Sequence, residues 1–195
     1  MRRAIKFPGS KIIAAKLSYI PVNPTNNKKI AQILLEEQKG FCAYTDECFS
    51  RTDSKDVEHF NPTLKGTPAD NYNNWFLVKH QWNKEKSYKW DVFQPVLHPT
   101  ATDFEERVIY IDGDYVAGSD LDREAINVIA LLQLDDLALA DNRKKYIKRK
   151  REEIKAFGQD TITFFTILIN ADPCQVSYLR AIKEEFGIDI WQILI

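Results

Sequence analysis

The chain has 195 residues, 44% of them hydrophobic and 28% charged, ordinary globular proportions that exclude a disordered or fibrous protein. Its 27 Lys/Arg and 28 Asp/Glu leave a net charge of -1, so overall charge gives no support for a nucleic-acid partner. No apolar run approaches the roughly 20 residues of a membrane span, and the start MRRAIKFPGSK lacks an apolar stretch of signal-peptide length, so a soluble, cytoplasmic protein with no membrane partner is expected.

In chain order, the first stretch carries Pro8, Pro21 and Pro24 and reads as an arm with one apolar patch, IIAAKLSYI. TNNKKIAQILLEEQKG then has an Asx/Thr cap, Ile30, Ile33, Leu34 and Leu35 on one side, and Gly40 past its end, which predicts an amphipathic helix. Between 41 and 74, aromatic and β-branched islands broken by TDEC, RTDSKD and KGTPADNYNN predict short strands and loops. WFLVKHQWNKEKSYKW reads as a strand leading into a helix, and VIYIDGDYV as a hairpin turning at Asp112-Gly113, since Asp-Gly suits turns with positive φ. Helices are expected in SDLDREAINVIALLQL, in DDLALADNRKKYIKRKREEIKAFG up to Gly158, in DTITFFTILIN and in PCQVSYLRAIKEEFG. The tail IDIWQILI is either a docking surface or an ordinary core element. The fold class expected is α+β, mainly helical, in three parts: an arm and helix at 1–40, a strand-containing module at 41–95, and a hairpin plus helical region at 96–195 packed with it as one unit.

Charge is segregated even though it cancels. Residues 1–40 hold eight basic and two acidic residues, 142–155 again eight and two, and 101–141 eleven acidic and two basic. Such segregation can build a positive face on a neutral protein, although a Lys/Arg run is as readily the solvated side of a helix. Three cysteines, Cys42, Cys48 and Cys174, argue against a secreted disulfide framework and leave metal ligation or burial open.

The chemically informative residues lie between 42 and 90. Glu58 and His59 are adjacent, Asn74 follows 15 residues after His59, and Asn83 nine further on. A neutral imidazole with a pKa near about 6.5 can take a proton from water, and a carboxylate with an amide oxygen can hold a hard divalent cation. This order, with Lys86 after it and FCAYTDEC before it, resembles the HNH, or ββα-metal, endonuclease family. The further run of Asp70-Asn71-Tyr72, Asp112-Gly113 and LLQLDDLALADNR is similar to the HNH subunits of Septu-type anti-phage systems.

The resemblance implies a small ββα-metal module and one-metal hydrolysis of DNA phosphodiesters. In it Glu58 and Asn83 would hold Mg²⁺, or Mn²⁺ or Ni²⁺, His59 would be the general base, and Asn74 would orient His59 by tying its loop. Lys84, Lys86 and Lys79 become candidate phosphate contacts, and an ATPase subunit the implied partner. One departure stands out. Two CxxC pairs commonly bind a structural zinc in this branch, but here Cys42 is followed by Thr45, Lys79 and Trp82 at the other three places, so no structural zinc is expected and packing by Phe76 and Trp82 would replace it. The alternatives left open are a degenerate module acting as a nucleic-acid or partner-binding adaptor, and a helical interaction protein.

Overall fold

The computed structural model describes residues 1–86 and 89–194. It is α+β and mainly helical, with two separate two-stranded antiparallel sheets. The chain opens with a single-turn helix, α1 (Lys11–Ala14), inside the segment expected to be an irregular arm. Helix α2 (Pro24–Glu37) follows, and Asn23 caps it by accepting from the Asn26 N–H, with Pro24 in the first turn, where a missing donor costs nothing.

Strand β1 (Lys55–His59) pairs with β2 (Trp75–Lys79) in a register that sets Glu58 opposite Phe76 and His59 opposite Trp75. Helix α3 (His80–Lys86) leaves directly from β2. Trp75, Phe76, Leu77 and Val78 are all buried, because α2 covers the hairpin and the Gln38 side chain pairs with the Leu77 N–H and C=O like an extra strand. A β-run apolar on both faces needs cover on both faces.

After a single-turn α4 (Phe104–Arg107), strands β3 (Val108–Ile111) and β4 (Asp114–Ala117) form the expected hairpin, turning at Asp112 and Gly113, both at positive φ (45° and 86°). Helices α5 (Arg123–Leu132), α6 (Leu137–Phe157), α7 (Thr161–Ala171), α8 (Leu179–Phe186) and α9 (Ile190–Ile193) complete the fold. Helix α8 begins six residues later than the sequence predicts, because Pro173–Gln175 forms a 3₁₀ turn first. One buried apolar cluster runs from Met1 to Leu194 through all of these segments.

The tail is core, not a free surface: Ile188, Ile190, Trp191 and Leu194 are buried, which removes it as a docking face. The cysteines also differ from expectation. Cys48 is bonded to Cys174, 126 residues away, because the 42–48 loop packs on the turn before α8, where the Tyr178 N–H donates to the Asp46 carbonyl at 2.7 Å. Cys42 stays a buried thiol that accepts from the Lys79 N–H at 3.5 Å, and Phe76 fills the space beside this loop. Trp82 packs at the edge of the core and is only partly buried.

Candidate functional site

The charged residues buried in the first hairpin are clustered at one end of it. Glu58, His59, Asn74 and Lys86 are each at most 5% exposed, an unusual density of polar groups in an interior and one that requires partners. Glu58 and His59 end β1, Asn74 closes the 3₁₀ turn just before β2, and Lys86 ends α3, so the sheet and the helix that leaves it bring all four together. The cleft above them, about 530 Å³, lies between α2 and β1 and is lined by Asp56, Glu58, His59, Asn83 and Lys86 on one side.

Asn74 is tied three ways. Its Oδ1 accepts from the Asn61 N–H at 2.7 Å, and its Nδ2 donates to the Asn61 carbonyl and to Asp70 Oδ1, both at 3.0 Å. These bonds clamp the start of the 60–74 connection two residues beyond His59. Asp70 also accepts from the indole of Trp75 at 2.7 Å, and its Oδ2 lies 3.1 Å from His59 Nε2. Burial nevertheless pushes the His59 imidazole down to about 4, with Lys65 and Lys86 adding to the shift and Asp70 opposing it. At neutral pH the ring is therefore uncharged with its lone pair free, although the same shift makes it a weaker base than an ordinary imidazole.

Lys86 is misread by charge alone. It is not a surface phosphate contact: its ammonium is buried against the Glu58 carboxylate and donates to the carbonyls of His59 and Phe60 at 2.8 and 2.7 Å. Burial pushes the Glu58 carboxyl up and the Lys86 ammonium down, each resisted by the other's charge. Lys79 is likewise committed, lying 3.3 Å from Glu47 and 3.5 Å from Asp53, which corrects its reading as a phosphate contact. Lys84 stands exposed on α3 with no ion pair among the described residues.

Asn83 meets Asp56 rather than Glu58, donating from Nδ2 to Asp56 Oδ2 at 2.8 Å, while His80 Nδ1 lies 2.7 Å from the same oxygen. Asp56 is absent from the sequence reading, yet the strand period places it on the same face as Glu58, two residues away. Asp56-x-Glu58 alternation was the available signal. Asp70 stands in the Asp70-Asn71-Tyr72 run that carries part of the resemblance, but its link to His59 is made by a loop and has no local signal.

The donor set fits a small hard cation. Asp56 and Glu58 supply carboxylate oxygens and the Asn83 carbonyl oxygen carries no hydrogen bond among the described residues, while Glu58 Oε1 is occupied by the Lys86 ammonium. Among the described residues no three His, Cys, Asp or Glu side chains converge as a metal cage. Lys86 now supplies the positive charge that the buried carboxylate requires.

No protein-family model, no curated protein and no solved structure matches this chain. Among the described residues no helix is long and apolar enough to cross a membrane.

Proposed function

We propose that this chain is a metal-dependent endonuclease of the HNH type that hydrolyses phosphodiester bonds in DNA. The observation that carries the reading is a buried, uncharged His59 fixed at the end of β1 by the Asn74 clamp, beside the Asp56, Glu58 and Asn83 oxygens in one cleft. His59 takes the proton of the attacking water, a contribution of typically about 10²–10⁴-fold. The Asn74 clamp holds the loop that follows His59, with Asp70 beside the ring, so that the base is positioned before substrate arrives. Asp56, Glu58 and Asn83 would hold Mg²⁺, which when bound supplies charge stabilisation to the scissile phosphate and leaving oxygen. Lys84, exposed on α3 next to Asn83 in sequence, offers a phosphate contact. The resemblance to Septu-type subunits supports an effector role in anti-phage defence beside an ATPase.

Incubation of purified protein with circular single-stranded DNA and supercoiled plasmid, in Mg²⁺, Mn²⁺ or EDTA, tests this. Metal-dependent cleavage leaving 5′-phosphate and 3′-hydroxyl ends is expected; intact DNA in every metal, with and without a co-encoded ATPase, would sink the reading. The Lys86 ammonium on Glu58 favours a second reading, an adaptor that has given its cation site to a lysine. That reading expects DNA binding unchanged in His59→Ala and no cleavage by either protein.

A further inference from the structure

Tyr19 comes from the N-terminal arm yet sits on His59, the two rings edge to face with centroids 4.5 Å apart. Its position is built rather than incidental. Asn27 accepts from the Ile20 N–H at 3.1 Å and donates to the Ile20 carbonyl at 2.7 Å, and Asn26 donates to the Ser18 carbonyl, so both neighbours of Tyr19 are pinned to the first turn of α2. The ring is partly exposed and lines the cleft. Lys65, from the 60–74 connection, places its ammonium 5.3 Å from the ring centroid, and Lys28 stands on the facing wall on α2. Both lysines are exposed and make no ion pair among the described residues.

The shape restricts what can reach the floor. Glu58 and His59 are 4% and 5% exposed, and the cleft's volume of about 530 Å³ is that of a small-ligand pocket. A duplex presents its phosphates on a rigid ridge with its bases already stacked on one another, so it can neither bend into such a space nor offer a base face to Tyr19. A single strand can do both, and an aromatic platform flanked by cations is how proteins hold unpaired nucleotides.

Resting on the endonuclease reading, we propose that the cleft takes single-stranded DNA, with Tyr19 stacking on an unpaired base beside the phosphate that faces His59 and with Lys28 and Lys65 on the flanking phosphates.

Fluorescence anisotropy with the full chain in EDTA, where hydrolysis is stopped, tests this on a labelled 20-nucleotide DNA, its duplex and the RNA of the same sequence. The single-stranded DNA is expected to bind at least about tenfold more tightly than the duplex. Base–aromatic stacking of about 1–3 kcal/mol converts to a loss of roughly 5–150-fold in Tyr19→Ala, with Tyr19→Phe retaining affinity. Lys65→Ala, remote from the core, is expected to weaken binding and flatten its salt dependence. Duplex binding equal to or tighter than the single strand, or unchanged affinity in a folded Tyr19→Ala, overturns the proposal; tighter RNA than DNA overturns its assignment to DNA. Plasmid cleavage without single-strand preference removes this inference and leaves the nuclease reading. Single-strand preference without metal-dependent cleavage does the reverse.

Discussion

The two hairpins share a topology and almost nothing else. In β3–β4 the connection is two residues, the strand alternates buried and exposed, and Tyr110 pairs across from Tyr115 with ring centroids 5.7 Å apart. In β1–β2 the connection is residues 60–74, the exposure of β1 falls along its length instead of alternating, and the strand ends on a buried carboxylate and imidazole. A tight turn fixes register by backbone geometry alone. Where the connection is long, side chains must fix it, and Asn74, Asp70 and Lys86 do so here with hydrogen bonds to the loop that follows His59. The polar groups that hold the first hairpin are thus the same groups that could do chemistry in it.

Breaking each hairpin should therefore have different consequences. Lys86→Met should be the most damaging to stability, about 3–5 kcal/mol in urea unfolding, because Glu58 is left buried without its cation. Adding Glu58→Gln to it should restore part of that loss. Asn74→Ala should cost about 1–3 kcal/mol by leaving the Asn61 N–H and C=O unpaired, and it should lower kcat more than it raises KM. Gly113→Ala should cost a similar or smaller amount, about 1–3 kcal/mol, since the position has φ +86° and a Cβ would lie 2.7 Å from the Ala140 carbonyl oxygen. Cleavage by that variant, measured below its melting temperature, should be unchanged.

The mildest perturbation is pH. Burial lowers His59 and His98 to about 4 from the ordinary 6.5, so between those values the unfolded chain binds more protons than the folded one. Their contribution to stability is present above about pH 6.5 and is lost as pH falls through about 4. Thermal melts from pH 7 to 4 should show this decline, and His98→Phe, which removes one of the two groups, should make it shallower.

The same contrast explains what could be read from the chain. The Asp112-Gly113 turn, the strand leading into a helix from Trp75 and the stop at Gly158 are local, and each is written in adjacent residues. Helix α2, by contrast, starts at Pro24 behind Asn23, ahead of the Asx/Thr cap expected after Pro24. Adjacent Glu58 and His59, with Asn74 and Asn83 behind them, were also legible, and the fold brings them into one cleft or its supporting loop. Burial was not legible. Nothing in NKEK distinguishes Lys86, deep against Glu58, from Lys84 on the surface, and nothing in LSYI announces that Tyr19 lies on a histidine 40 residues away. The Cys48–Cys174 link was hidden for the same reason, since it depends on the 42–48 loop meeting the approach to α8.

The proposed nuclease chemistry turns on His59 as the group that takes the proton from water. Single-turnover cleavage of a labelled DNA strand in saturating Mg²⁺, compared between wild type and His59→Ala with folding checked by circular dichroism, tests it most directly. A fall of about 10²–10⁴-fold in rate, with the strand still bound, is the predicted result. Equal rates in the two proteins would contradict it.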